Sequence, residues 1–264
     1  MEIISVINQK GGVGKTTTVI NLAAGLSQLK KRILVIDLDP QGNATTGLGL
    51  SNLDNSSDTI YGVLNGSKEI TQVIKKTKFD GLDIITSNVD LSGLEVETAD
   101  DSNRAFILKA KLTSYLNNSG GSYDYVLIDC PPSLSLLTVM ALVSSSSLLV
   151  PLQTEFFALE GLTQLIKTID RIKVNLNPDL KIRGILLTMY DKRNKLSSEV
   201  EKEARDYFNE KVYSTVIPRN VRLSEAPSHG MPVLIYDKSC PGSKSYFNFT
   251  DEFINQELTK ESAA

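Results

Sequence analysis

Residues 8–17 read Asn-Gln-Lys-Gly-Gly-Val-Gly-Lys-Thr-Thr and follow directly on the apolar run 3–7. Glycines at 11, 12 and 14 let the backbone curl until successive N–H groups face inward on an anion. A helix expected to open near Lys15 adds the positive end of its dipole. Lys15 is then placed to reach the β- and γ-phosphates of a nucleoside triphosphate, and the Thr16 hydroxyl to hold Mg²⁺. Val13 and Thr17 complete this phosphate-binding loop, whose expected ligand is a nucleoside triphosphate with Mg²⁺.

Two more apolar runs end in carboxylates. One closes with Asp37-Leu38-Asp39-Pro40-Gln41-Gly42-Asn43. Alternation along an extended chain puts Asp37 and Asp39 on the same side, and strand ends of this kind face the ligand crevice. Asp37 reads as a Mg²⁺ ligand or as an organiser of the phosphate loop. The other run is Tyr125-Val126-Leu127-Ile128-Asp129-Cys130-Pro131-Pro132, the pattern of a Walker B strand. Four apolar residues bury it, Asp129 emerges to hold Mg²⁺ through water, and the prolines stop it. Cys130 reads as a small buried residue, with iron–sulfur ligation the remote alternative. His229 sits in a Ser-His-Gly turn without partner carboxylates nearby in the sequence, which argues against a catalytic use.

These groups need a rigid frame, and the sequence supplies one. Short runs rich in Val, Ile and Leu recur at 3–7, 33–37, 82–86, 125–129, 147–152, 182–187 and 212–217. Helical spacing fills 17–29, 104–116, 158–174 and 197–209 between them. Near-continuous apolar strands separated by helices predict an α/β fold, a doubly wound, mostly parallel sheet with helices on both faces. Segments 51–57 and 117–122 read as polar surface loops. No separating linker interrupts the pattern, so one P-loop ATPase domain over 1–264 is expected.

Composition narrows the setting. The chain has 264 residues, 41% of them hydrophobic and 22% charged, the balance of a soluble globular protein. Two cysteines make no disulfide framework, and no apolar run is long enough to span a bilayer. The first strand starts at once, leaving no leader in view, so we expect a cytoplasmic protein. The segment 250–264 sets Asp251, Glu252, Glu257 and Glu261 against Lys260. Anionic lipid would repel it, while Phe253, Ile254 and Leu258 are enough to dock it on its own domain. Charge is uneven: residues 181–222 hold ten basic and six acidic side chains, a net +4 within a chain of net −3. A localised basic face of that kind suits phosphate binding, with Lys192 and Lys195 among the residues to watch. Lys202 and Arg205 sit among helical glutamates and are better explained by intrahelical pairing.

The pattern Lys-Gly-Gly-x-Gly-Lys-Thr, with Lys10 five residues ahead of Lys15, resembles that of the deviant Walker A ATPases. This group holds the ParA/Soj partition proteins, the MinD division-site proteins and the nitrogenase iron protein. The resemblance to the ParA/Soj members extends through Asp-x-Asp-Pro-Gln-Gly-Asn at 37–43 and Ile-Pro-Arg-Asn…Glu-Ala-Pro at 217–227. It implies that Lys10 crosses a homodimer interface to stabilise the partner's phosphates, as an arginine finger would. It implies that Asp39 orients or activates the attacking water. Pro218 and Asn220 would frame the adenine, and Arg193 and Arg222 would touch non-specific double-stranded DNA. The implied protein is a nucleoid-associated ATPase that forms an ATP-dependent sandwich dimer and segregates chromosomes or plasmids with a ParB-type partner. A positioning ATPase for another cargo is the alternative.

Overall fold

Alternation along the strands sorts their side chains onto two faces. In β2 (Ile33–Asp37), Ile33 and Val35 join one core while Leu34 and Ile36 join another. The same rule runs through β1 (Glu2–Val6), β4 (Leu82–Ile85), β5 (Tyr125–Asp129), β6 (Ser147–Gln153) and β7 (Lys181–Tyr190), each covered on both sides. With β3 (Ile74–Lys76) and β8 (Val212–Pro218) they make an eight-stranded sheet in the order β3-β4-β2-β5-β1-β6-β7-β8. Every pairing is parallel except β3 with β4. The fold is a doubly wound α/β sheet, as the sequence pattern predicts. This computed structural model describes residues 1–50, 56–119 and 123–261.

Helices cover both faces. On one, α1 (Lys15–Gln28) and the long helix Pro241–Glu261 pack side by side against the sheet. On the other pack the helices Ile107–Ser119, Leu136–Ser144, Ala158–Asn175 and Lys195–Phe208. The strands and helices expected from periodicity are present with ends moved by a few residues. Segment 117–122 corrects one reading: residues 117–119 finish the helix Ile107–Ser119, since asparagine is tolerated in a last turn, and 120–122 lie outside the described residues. Of 51–57, residues 51–55 lie outside them, and Ser56–Asp58 forms a 3₁₀ turn.

The C-terminal helix docks on its own domain. Phe249 and Phe253 are fully buried in the α1 core, with Ile254 packed against it. The Glu252 carboxylate accepts from the backbone amides of Ser214 and Thr215, tying the helix to the edge strand β8. The side chains of Glu257, Leu258, Lys260 and Glu261 lie outside the described residues. No described helix is long and apolar enough to cross a membrane.

Gly25 sets how closely α1 approaches this helix. An alanine Cβ there would overlap the Thr250 hydroxyl and stand 3.0 Å from its Cβ. That hydroxyl donates to the Tyr246 carbonyl at 2.8 Å, so it cannot swing away freely. Overpacking costs about 1–3 kcal/mol, against roughly 1 kcal/mol that alanine gains over glycine inside a helix. The severity of the overlap with the Thr250 hydroxyl puts the cost in the upper half of that range, so Gly25→Ala should lose about 1–2 kcal/mol net in urea unfolding, and adding Thr250→Ala should recover part of it. An unchanged or raised midpoint for the single variant would refute this packing.

Candidate functional site

Three strand ends meet at one place. In register, Val6 of β1 lies beside Asp129 of β5, and Asp129 lies beside Asp37 of β2. The loop after β1 turns back over them into α1. It does so through Gly12 and Gly14, at φ 76° and 90°, a backbone that side-chain-bearing residues rarely adopt. Gly14 is the residue that starts α1, whose first N–H groups consequently face the cleft.

The cleft holds about 640 Å³. At one end it is lined by Gly11, Gly12, Gly14, Lys15, Thr16, Thr17 and Asp39. Its other end is apolar, walled by Ile20, Ile217, Pro218, Leu223 and Pro227 with Tyr246 at the floor. Asn220 stands there too. Its Oδ1 accepts the Arg222 amide at 3.0 Å, which leaves the Asn220 side-chain N–H₂ to donate toward a purine nitrogen. A cleft that combines polar, cationic lining with apolar side chains suits a nucleotide.

Buried charge dominates the polar end. Asp37 and Asp129 are fully buried and Asp39 nearly so. Asp37 Oδ2 accepts both the Thr45 amide at 2.8 Å and its hydroxyl at 2.7 Å. Its Oδ1 accepts the Asp39 amide at 3.2 Å. Burial nevertheless lifts the Asp37 carboxyl to about 6. Asp39 Oδ1 holds the Gln41 amide at 3.0 Å. Asp129 Oδ2 accepts the Thr16 hydroxyl at 2.7 Å, whereas its buried Oδ1 has no hydrogen-bond donor. Burial, and after it the Asp37 charge, pushes Asp129 well above the ordinary carboxylate range. Lys15 is the cation among them. Its ammonium donates to the Lys10 carbonyl at 3.1 Å, and burial lowers its pKa against the opposing pull of Asp129.

This donor set fits Mg²⁺. A hydroxyl and a carboxylate with one unsatisfied oxygen are hard ligands, and no group of three or more His, Cys, Asp or Glu converges among the described residues. A cation here would complete its shell with phosphate oxygens and water. Thr16 and Asp129 are the residues that would hold it. The hydrogen bonds of Asp37 go to Thr45 and the Asp39 amide, so it organises the segment after β2 rather than the phosphate loop.

Lys10 and Val13 do not line the cleft. The Lys10 ammonium is ion-paired with Glu155, its amide donates to Asn8 Oδ1 at 3.0 Å, and its side chain is about half exposed. The Val13 side chain is buried, and its carbonyl accepts the Thr188 hydroxyl at 2.8 Å. Cys130 lies in the core against Leu136 and Met140, and burial pushes its thiol up, the reverse of what a cluster ligand needs. His229 stacks on Tyr236.

The basic candidates separate. Lys192 and Arg193 line a second groove of about 540 Å³ with Arg219, which sequence reasoning passed over. Arg193, largely exposed, is held by both Asp191 oxygens, and this pairing holds the Asp191 carboxyl down at about 2. Lys195 opens the helix Lys195–Phe208, outside that groove. Arg222 lines neither cavity and is paired with Glu225 at 2.6 Å and Asp237 at 3.5 Å. Thr45, Thr188 and Glu155 were also missed. Only Thr45 had a signal, its place just after the Asp-Pro-Gln-Gly-Asn turn.

Comparison with known proteins agrees with this geometry. A family model described as an AAA domain matches residues 1–182. The chain is 50% identical over 264 residues to the chromosome partitioning protein ParA of Caulobacter vibrioides, spanning 100% of this chain and 98% of that protein. It is 47% identical over 251 residues to the sporulation initiation inhibitor protein Soj of Bacillus subtilis, spanning 95% of this chain and 97% of the other. Among solved structures it resembles cobyrinic acid a,c-diamide synthase from Mycobacterium smegmatis, crystallised with an ATP analogue and magnesium. That likeness is 34% identity at TM-score 0.80, covering 95% of this chain and 93% of that one.

The buried carboxylates make a prediction with a definite sign. A carboxyl whose folded pKa is raised binds its proton more tightly when folded, so its charge costs stability as pH rises above the ordinary value of 3.8. Asp129→Asn removes that charge and keeps an oxygen for Thr16. Without nucleotide, the variant should melt higher at pH 8, by about 2–4 °C for each kcal/mol relieved. The gain should vanish near pH 4. Equal melting temperatures at pH 8 would contradict the assignment of a strained carboxylate.

Proposed function

The chain belongs to the ParA/Soj family of chromosome-partitioning ATPases, and on that footing we propose that it is a DNA-partition motor switched by its own dimerisation. It is an ATPase that uses ATP with Mg²⁺. The observation that carries the reading is the cleft itself, where Lys15, Thr16, Asp39 and Asp129 converge below an apolar slot.

ATP enters with its base between Pro218 and the apolar wall and its triphosphate under the N–H groups of residues 11–17. Lys15 neutralises the β- and γ-phosphates, and Thr16 and Asp129 hold the metal. When bound, Mg²⁺ offsets charge on the phosphate oxygens and fixes their orientation. Asp39 orients the attacking water, its Oδ1 anchored on the Gln41 amide. The γ-phosphate of one copy recruits Lys10 of a second, so two subunits close face to face. Closure pairs two basic faces built from Lys192, Arg193, Lys195 and Arg222, and two weak faces joined in one body grip arbitrary duplex DNA far better than either alone. Hydrolysis removes the group that both halves share and releases the DNA. A ParB-type protein accelerates that step at the partition site.

Lys15→Ala should lose nucleotide binding in equilibrium dialysis. Asp39→Ala should retain ATP and stay dimeric on DNA while phosphate release falls by at least about 10²-fold, the scale of lost general-base or positioning assistance. Normal turnover by Asp39→Ala would remove its role. Arg222→Glu should abolish DNA retention yet still dimerise with ATP in gel filtration. If the variant stays on DNA, the basic-face assignment goes.

A further inference from the structure

The nucleotide cleft and the basic groove share a wall made of Pro218, Arg219 and Asn220. Pro218 ends β8 in register with Tyr190 of β7, and the Arg219 amide donates to the Tyr190 carbonyl at 3.0 Å. Arg219 is thus fixed by backbone at the one place both cavities touch. Its side chain is exposed.

Arg219 also differs electrostatically from its neighbours. Arg193 is tied up by Asp191, and Arg222 by Glu225 and Asp237. Among the described residues Arg219 makes no ion pair, and Asp191 is the acidic group whose field it feels across the groove. A guanidinium with five unspent donors, beside Lys192 and Arg193, is suited to grip a phosphodiester.

A short covalent and hydrogen-bonded path connects it to the phosphate loop. The Thr188 hydroxyl holds the Val13 carbonyl at 2.8 Å. Met189 follows at φ 51°, a left-handed backbone uncommon for a residue with a side chain, and lines the nucleotide cleft. Tyr190 comes next and holds the Arg219 amide. These three consecutive residues thus give a contiguous path from Val13 of the phosphate loop to Arg219.

Resting on the partition reading above, we propose that Arg219 is a phosphate-binding residue of the Lys192–Arg193 groove and links nucleotide occupancy to the grip on DNA. Linkage is reciprocal, so ATP should tighten DNA binding by the same factor that DNA tightens ATP binding.

The test uses the full chain and a fluorescent duplex of arbitrary sequence, with and without ATP and Mg²⁺, across a salt titration. In the wild type, affinity should rise with ATP and fall steeply with salt. Arg219→Ala should lower the log–log salt slope by about one per protomer and shrink the ATP-induced gain in affinity. Arg219→Lys, which keeps the charge, should restore the slope. Both variants should melt like the wild type, which separates binding from folding. Wild-type DNA binding with an unchanged slope and an unchanged ATP effect in Arg219→Ala would overturn this inference alone. Failure of Arg219→Lys to restore the slope would likewise overturn it, because the charge would not be what matters. Absence of DNA binding by the wild type would overturn the partition reading and this inference with it.

Discussion

Two carboxylates shut away from water, Asp37 and Asp129, end adjacent strands with a single lysine to face them. Desolvating two like charges side by side is expensive, and the protein offsets only part of it. Thr45 satisfies Asp37 through both its amide and its hydroxyl, while Asp129 keeps an oxygen with no donor. Lys15, itself held below its ordinary pKa by burial, cannot neutralise both. Such a site repels a bare triphosphate and welcomes one that brings a divalent cation. Metal dependence follows from this electrostatic deficit rather than from any dedicated cage of ligands.

The rest of the fold keeps those charges where they are. Fully buried strands on both sides of β1 fix the register that sets Val6, Asp129 and Asp37 in a row. The layers of helix above and below leave the strand ends no room to splay. At the far edge, Glu252 caps two amides of β8, so Pro218 and Asn220 are held against the cleft by a helix that begins more than twenty residues later. The Arg183 guanidinium reinforces this, lying over the Phe253 ring while bonded to Glu2 and to the Phe253 carbonyl. First strand, seventh strand and last helix are thereby tied together by one cation.

Elements with a polar face or a buried apolar run were legible, because periodicity records what each side of an element touches. The exceptions follow the same logic. Helix Leu136–Ser144 is buried nearly all round, so it has no polar stripe to betray a period of 3.6. Strand β3 is three residues, Ile-Lys-Lys, whose exposed lysine is what a sheet edge asks for and what a loop also shows. The phosphate site was readable because its glycines, lysine and threonine are consecutive in the chain. Its wall was not: Thr188 meets Val13 across 175 residues, and only the fold brings them together. The basic face was legible only as a net excess: counting charge over 181–222 cannot show that Arg222 pairs with Glu225 and Asp237, which lie outside that window.

Lys10 raises a question of magnitudes. To serve a second copy it must leave Glu155, and the pair is half exposed on the lysine side. Ion pairs in such settings contribute about 0–1 kcal/mol, so its release is a small obstacle. Directly beyond Glu155 stand Phe156 and Phe157, exposed by 73% and 67% and packed edge to face on each other. Covering each ring would contribute roughly 1.5–3 kcal/mol. If a second copy covers them, apolar burial supplies more of the association energy than Lys10 can. What apolar burial cannot supply is a dependence on the nucleotide, since it is the same with ATP or ADP. In the proposed dimer that dependence would come from a cation that finds its best partner only when a γ-phosphate is there, and the half-exposed Lys10 is the proposed one.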